Sequence, residues 1–175
     1  GELPEAVSLR AYDTNTKVNP PLRSREDAEA LVEALREGVI DAVATDHAPH
    51  AAVDKVCSYP EAERGINVLE TAFGSLMTLV HQGGIGLPVL LERLTAGPAR
   101  VLRRDLGSLR EGWPADVVLL DPDAEWIVAP EAFASKSRNT PLAGVTLKGR
   151  VVVTLLGGRV VFDGRSEAAM SGTGG

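Results

Sequence analysis

Asp46, His47 and His50 fall within one short segment that ends an apolar run, and they include two of the chain's three histidines. The run, Val39 to Thr45, is rich in β-branched residues. Its lack of polar alternation predicts a strand buried on both faces, as in a parallel sheet. Functional groups of (β/α) barrels and open α/β sheets gather at the C-terminal ends of such strands. A carboxylate there can bind a divalent metal, take a proton from metal-bound water, or cap the following turn. Residue type and spacing alone leave all three readings open, with the turn cap ahead.

The flanking segments must hold that turn in place. Asn19-Pro20-Pro21 precedes it, and residues ahead of a proline are pushed to extended conformations. Ser24 with Asp27 reads as a capping box. Ala28, Leu31, Val32 and Leu35 then follow at helical spacing, and Gly38 is a natural stop. Ala51 to Gly65 is polar and irregular, long enough to suggest a functional loop. Val68 to Gln82 reads as a helix, and Pro88 to Ala96 and Pro98 to Arg104 as two short ones with proline in the first turn. Beyond Leu106 the signal turns to strands: Ala115 to Leu120, closed by Asp121-Pro122, then Trp126 to Ala129, Val145 to Leu147, Val151 to Leu156 and Arg159 to Phe162. Gly157-Gly158 suits a two-residue hairpin turn. Helices around one buried strand, then strands alone, suggest pieces of two modules. The expected division is 1–104, 105–165 and a disordered tail at 166–175.

Composition narrows the classes. The net charge of −6 argues against a nucleic-acid or anionic-membrane partner. The single cysteine, Cys57, excludes an internal disulfide and any multi-cysteine metal site. No apolar run approaches the ~18 residues of a membrane span and no signal peptide opens the chain, so a cytoplasmic location is expected. His47 and His81 read as structural, Arg23 as a loop anchor, and Trp113 and Trp126 as packing residues.

The wording of several segments carries more. Thr45-Asp46-His47-Ala48-Pro49-His50 resembles the TDHAPH signature of dihydroorotases, in the amidohydrolase superfamily. Lys17 to Arg23 is similar to that family's KVNPPLR segment, and Asp54-Lys55 falls where it usually has Glu-Lys. Arg64 to Thr71 is similar to its FGIxGLET stretch. Gly112 to Asp121 resembles the superfamily's PGxxADLVLxD strand, and Ser137 to Gly144 the family's SKNTPFxG. The matches run in order from about Ala11 to Gly164. Together NPPLR and DHAPH favour dihydroorotases over hydantoinases and allantoinases.

The resemblance implies an α/β fold: the C-terminal part of a metal-dependent hydrolase with a (β/α)8 TIM-like barrel, plus strands of a small β-sandwich. It implies zinc-dependent, reversible hydrolysis of dihydroorotate to N-carbamoyl-L-aspartate in pyrimidine synthesis, with one or two Zn2+ ions. By the same carry-over Asp46 is a zinc ligand and the catalytic acid/base, and Asn19, His50, Arg64 and Gly65 contact substrate. Arg64 stands where the family has Phe or Tyr, so its expected contact is through the backbone. The family's HxHxR pair, carbamylated lysine and two further histidines have no match here. A whole barrel takes ~250 residues. The expectation is therefore a C-terminal fragment, inactive by itself and poorly soluble or oligomeric if made alone. The start at Gly1 instead of methionine fits that expectation. Partners expected beyond substrate are a second copy or aspartate transcarbamoylase. The alternatives are a non-catalytic scaffold of that transcarbamoylase, or a related cyclic amidase acting on hydantoin or allantoin.

Overall fold

In a computed structural model, residues 12–165 are described. The tail expected at 166–175 lies outside them. Five α-helices precede a three-stranded sheet: α1 (Arg25–Glu37), α2 (Ala52–Lys55), α3 (Ala72–His81), α4 (Leu87–Leu94) and α5 (Ala96–Val101), then β1 (Val117–Ile127), β2 (Thr146–Leu156) and β3 (Arg159–Asp163). No described helix is long and apolar enough to cross a membrane.

The caps of α1 are those its sequence predicts. The Ser24 side chain accepts from the Asp27 amide, and Gly38 ends the helix at φ 82°. At such a positive φ only glycine lacks a β-carbon clash. α3 starts later than periodicity predicts, because residues 68–71 close a tight turn, Thr71 N–H to Val68 O, before the helix begins.

Residues 39–45 form no strand. The chain there is irregular, tied by the Val43 amide to the Arg93 carbonyl at 3.0 Å, and Val39 is exposed. A β-branched run makes a ladder only beside another strand. Among the described residues its vicinity offers one isolated parallel bridge, His47 to Ile66. α1 likewise buries none of its residues fully, and Leu31 is half exposed.

The sheet order is β1-β2-β3, antiparallel throughout. Asp121-Pro122 does not close a strand as expected. The Asp121 carboxylate accepts from the amides of Asp123 and Ala124, both at 3.0 Å, and this side-chain turn absorbs an irregularity within one continuous β1. The two runs expected at 145–147 and 151–156 also join, through Gly149 at φ 105°. Gly157 and Gly158 make the predicted hairpin with φ 56° and 76°, the signs a type I′ turn requires.

α3 packs on β2 through two glycines. A β-carbon on Gly74 would meet the Gly149 carbonyl at 3.2 Å, and one on Gly149 would lie 2.6 Å from Met77 Cγ. Backbone therefore approaches backbone, and Met77 and Leu90 sit essentially dry beside it with Ile85. Burying each such side chain contributes about 1.5–3 kcal/mol. A second cluster, Val128, Phe133 and Leu147, packs at β2's N-terminal half, where Leu147 also comes within 3.2 Å of the β-carbon position of Gly74. Apolar residues of the sheet such as Val118, Val160 and Val161 remain exposed.

Gly149→Ala is expected to destabilise the fold by about 1–3 kcal/mol, by overpacking against Met77. Denaturant unfolding of the intact protein checks it, and an unchanged midpoint would refute the close-approach argument.

Candidate functional site

Three chain segments meet around His50. The first turns at Asp46, which adopts φ 47°, a left-handed conformation that Asp tolerates better than most residues. Past that turn the Ala48 amide donates to the Ile66 carbonyl at 3.0 Å. His47 points its Nδ1 at the turn ahead of α3 and accepts from the amides of Val68 (3.1 Å) and Leu69 (3.2 Å). The ring's proton must then sit on Nε2, an assignment made from these donors. The imidazole thus joins the Asp46 turn to the start of α3.

His50 Nε2 lies 3.0 Å from the Arg64 carbonyl. A carbonyl only accepts, so in the neutral ring Nε2 carries the proton and Nδ1 is the acceptor. The Asp54 carboxylate stands 4.0 Å from that Nδ1. Gly65 packs directly beneath: a β-carbon there would fall 2.7 Å from Ala48 O and 2.9 Å from His50 Nε2, and φ is 147°. Only glycine fits. Its amide donates to the Lys17 carbonyl at 2.9 Å, which brings the 17–23 segment alongside.

Asn139 completes the junction. It is buried; its Oδ1 accepts from the His50 amide at 3.0 Å and its Nδ2 donates to the Gly65 carbonyl at 3.1 Å. Its own carbonyl accepts from the Asn67 amide at 2.9 Å. The Ser137 hydroxyl also donates to Asn139 Oδ1. Sequence reasoning noted the Ser137 to Gly144 motif but gave Asn139 no role. The signal was there: an amide carries a donor and an acceptor on one planar group, so it can bridge two backbone strands.

Two lysines organise the 51–65 loop. Lys17 Nζ donates to the carbonyls of Pro60 (2.8 Å) and Ala62 (2.7 Å). Lys55 is buried, and its Nζ donates to the carbonyls of Thr14 (3.1 Å) and Glu63 (2.7 Å). Burial, then the nearby Lys17 charge, hold the Lys55 ammonium below the usual lysine range. Glu70 accepts from the Ser135 amide at 2.8 Å. Burial pushes its carboxyl upward, but the Ser135 hydrogen bonds outweigh that and leave it below the usual range. A cleft of about 760 Å3 opens between the 47–56 segment and residues 135–139, lined in part by His50, Lys55 and Asn139.

His50, Arg64 and Gly65 are therefore brought together. Asp46 stands exposed at the edge of the same turn, and among the described residues nothing hydrogen-bonds its carboxylate. Asn19 is exposed, in a cis Asn19–Pro20 linkage two residues beyond Lys17. Neither lines the cleft. A hydrolytic zinc takes three protein ligands. No cluster of three or more His, Cys, Asp or Glu side chains suited to a metal occurs among the described residues. His47 Nδ1 is already engaged, and His81 Nε2 faces the Pro122 carbonyl at 3.0 Å. By themselves these residues do not make the metal centre that the resemblance implies.

Residues 6–161 match the Amidohydrolase family. The chain belongs to that family. Among curated amidohydrolase relatives, a protein named dihydroorotase from Syntrophus aciditrophicus is 47% identical over 152 residues, covering 87% of this chain and 36% of the relative. Another of that name, from Anaeromyxobacter dehalogenans (strain 2CP-1), is 49% identical over 157 residues, covering 90% and 36%. The chain thus spans little more than a third of the length of these relatives. Among solved amidohydrolase structures, an L-hydantoinase (dihydropyrimidinase) from Arthrobacter aurescens superposes with a TM-score of 0.78 at 33% identity, over 84% of this chain and 34% of that one. A D-hydantoinase superposes at 0.76 with 26% identity, over 86% and 34%.

Asn139→Ala is expected to cost about 1–3 kcal/mol, since it strands one part-buried N–H and one buried carbonyl. Unfolding midpoints of the intact protein check it. A loss under about 0.5 kcal/mol would mean the amide is not the bridge.

Proposed function

We propose that this chain supplies the closing part of a dihydroorotase, an enzyme that opens the cyclic amide of dihydroorotate to N-carbamoyl-L-aspartate and closes it again. The observation that carries the reading is the close sequence similarity to proteins of that name, running through the segment where His50, Arg64 and Gly65 are locked together. In this reading the chain contributes the last units of a (β/α)8 barrel, within 1–104, and sandwich strands within 105–165. Further barrel strands would then lie beside residues 39–45 and supply the missing ladder partners.

The chemistry expected of its own residues is simple. Water adds to the ring carbonyl, the ring C–N bond breaks, and the ring nitrogen leaves with a proton. Asp46, at the end of the 39–45 run and without a competing hydrogen bond from the described residues, takes the proton from water and returns it to nitrogen. His50 and Asn19 hold substrate polar groups, and the backbone at Arg64-Gly65 adds a further contact. The Arg64 carbonyl orients the His50 ring, which is why the side chain at position 64 can vary without moving the imidazole. Zinc belongs to this reading as the group that polarises the amide, with Asp46 as the ligand from this chain and the other ligands from outside it. The solved hydantoinases favour a second reading, a cyclic amidase acting on another ring, but the sequence similarity to dihydroorotases is higher.

Asp46→Asn in the intact protein is expected to lower kcat for dihydroorotate about 10²–10⁴-fold. The 175-residue chain alone, with zinc supplied, is expected to show no ring opening. A variant within threefold of wild type would remove Asp46 from its role. Faster turnover of hydantoin or allantoin than of dihydroorotate would transfer the protein to the second reading.

A further inference from the structure

A second cleft, of about 560 Å3, lies between the end of α5 and the segment that leads to β1. It shares no lining residue with the cleft beside His50. Arg100, Arg103, Arg104 and Arg110 line it, with Asp105 as its one carboxylate and Trp113 as its one aromatic ring. The cleft is thus basic in a chain whose net charge is −6. Glu92 pairs with Arg100 at 2.8 Å. Among the described residues no carboxylate forms an ion pair with Arg103, Arg104 or Arg110.

Backbone geometry makes this more than a solvated basic run. Arg103, just past the Leu102 cap of α5, adopts φ 51°. The Arg104 amide donates back to Ala99 O at 2.9 Å and the Arg103 amide to Arg100 O at 3.1 Å. In this helix stop the left-handed residue is usually glycine. An arginine there holds its backbone against its own preference, as residues at binding sites often do. Gly107, in the lining, packs closely on backbone: a β-carbon there would fall 2.7 Å from the Thr95 carbonyl carbon. The Arg110 guanidinium lies 5.4 Å over the Trp113 ring, which orders both groups.

We propose that this cleft binds a nucleoside di- or triphosphate. Guanidinium forks match phosphate oxygens in bidentate geometry, and three unpaired ones line this cleft. The Arg110–Trp113 pair offers planar surfaces on which a base stacks. The volume lies within the range of small-molecule sites, and concavity favours a compact ligand over an acidic protein surface. The proposal is independent of the dihydroorotase reading, and its readout is binding, so either can fail without the other.

The test is equilibrium dialysis and calorimetry of ATP against the intact protein, with tripolyphosphate, adenosine and an oligoglutamate peptide as comparison ligands. One saturable ATP site per chain is expected, tighter than for any comparison ligand and weakened by added salt. Arg104→Ala and Arg110→Ala should each weaken it tenfold or more. Arg103→Gly should raise the unfolding temperature while also weakening ATP, a pairing that a purely structural arginine would not give. Saturating dihydroorotate should not displace ATP. Equal affinity for tripolyphosphate, preference for the peptide, displacement by dihydroorotate, or ATP binding unchanged in the arginine variants would each overturn the proposal.

Discussion

One carboxamide determines whether the site exists as a unit. Asn139 is far from His50 and Gly65 in sequence, yet it accepts from the amide of one and donates to the carbonyl of the other. Both partners are backbone groups on different segments, so the bridge fixes main-chain positions as well as side chains. In a buried setting such bonds are strong when complete and costly when broken. His50 Nε2 then reaches the Arg64 carbonyl, and Gly65 allows the approach by having no β-carbon. Remove the amide and the imidazole loses its fixed height above Gly65.

The rest of the fold delivers these segments to that bridge. β2 accepts α3 at van der Waals distance, because Gly149 and Gly74 present bare backbone. α3 in turn begins at the turn whose amides donate to His47. The path from sheet to Asp46 therefore runs through one close-packed interface and one imidazole. Asn139 follows β1 and precedes β2, so the strands that form the sheet also carry the bridging amide back to the turn. The helical part and the sheet thus share hydrogen bonds at this point. The loop between β1 and β2 belongs physically to the Asp46 turn.

The features legible in sequence are those whose cause is local. Ser24 and Gly38 cap α1 with their own side chain and backbone, and Gly157-Gly158 turn the hairpin without help from elsewhere. The Asp46 to His50 address is legible for the same reason: it is a contiguous segment. What escaped depends on partners distant in the chain. Asn139, Lys17 and Lys55 look like ordinary polar residues until their acceptors are placed beside them. Residues 39–45 show the converse. Their composition asks for a strand, but a ladder is a property of two segments, and no described strand lies alongside. Asp121-Pro122 misled in a third way. The pair signals a turn, and a turn is there, but it is folded inside a strand that continues past it.

The two lysines have a consequence for how the 51–65 loop responds to its surroundings. Carbonyls of Thr14, Pro60, Ala62 and Glu63 converge on two ammonium groups much as carbonyls converge on an alkali cation. Here the cations are tethered to the chain. The loop that carries Arg64 and Gly65 is therefore fastened by cations of its own chain. The same loop holds the Arg64 carbonyl against His50 Nε2, so the ring's partner is set by cations that belong to the chain.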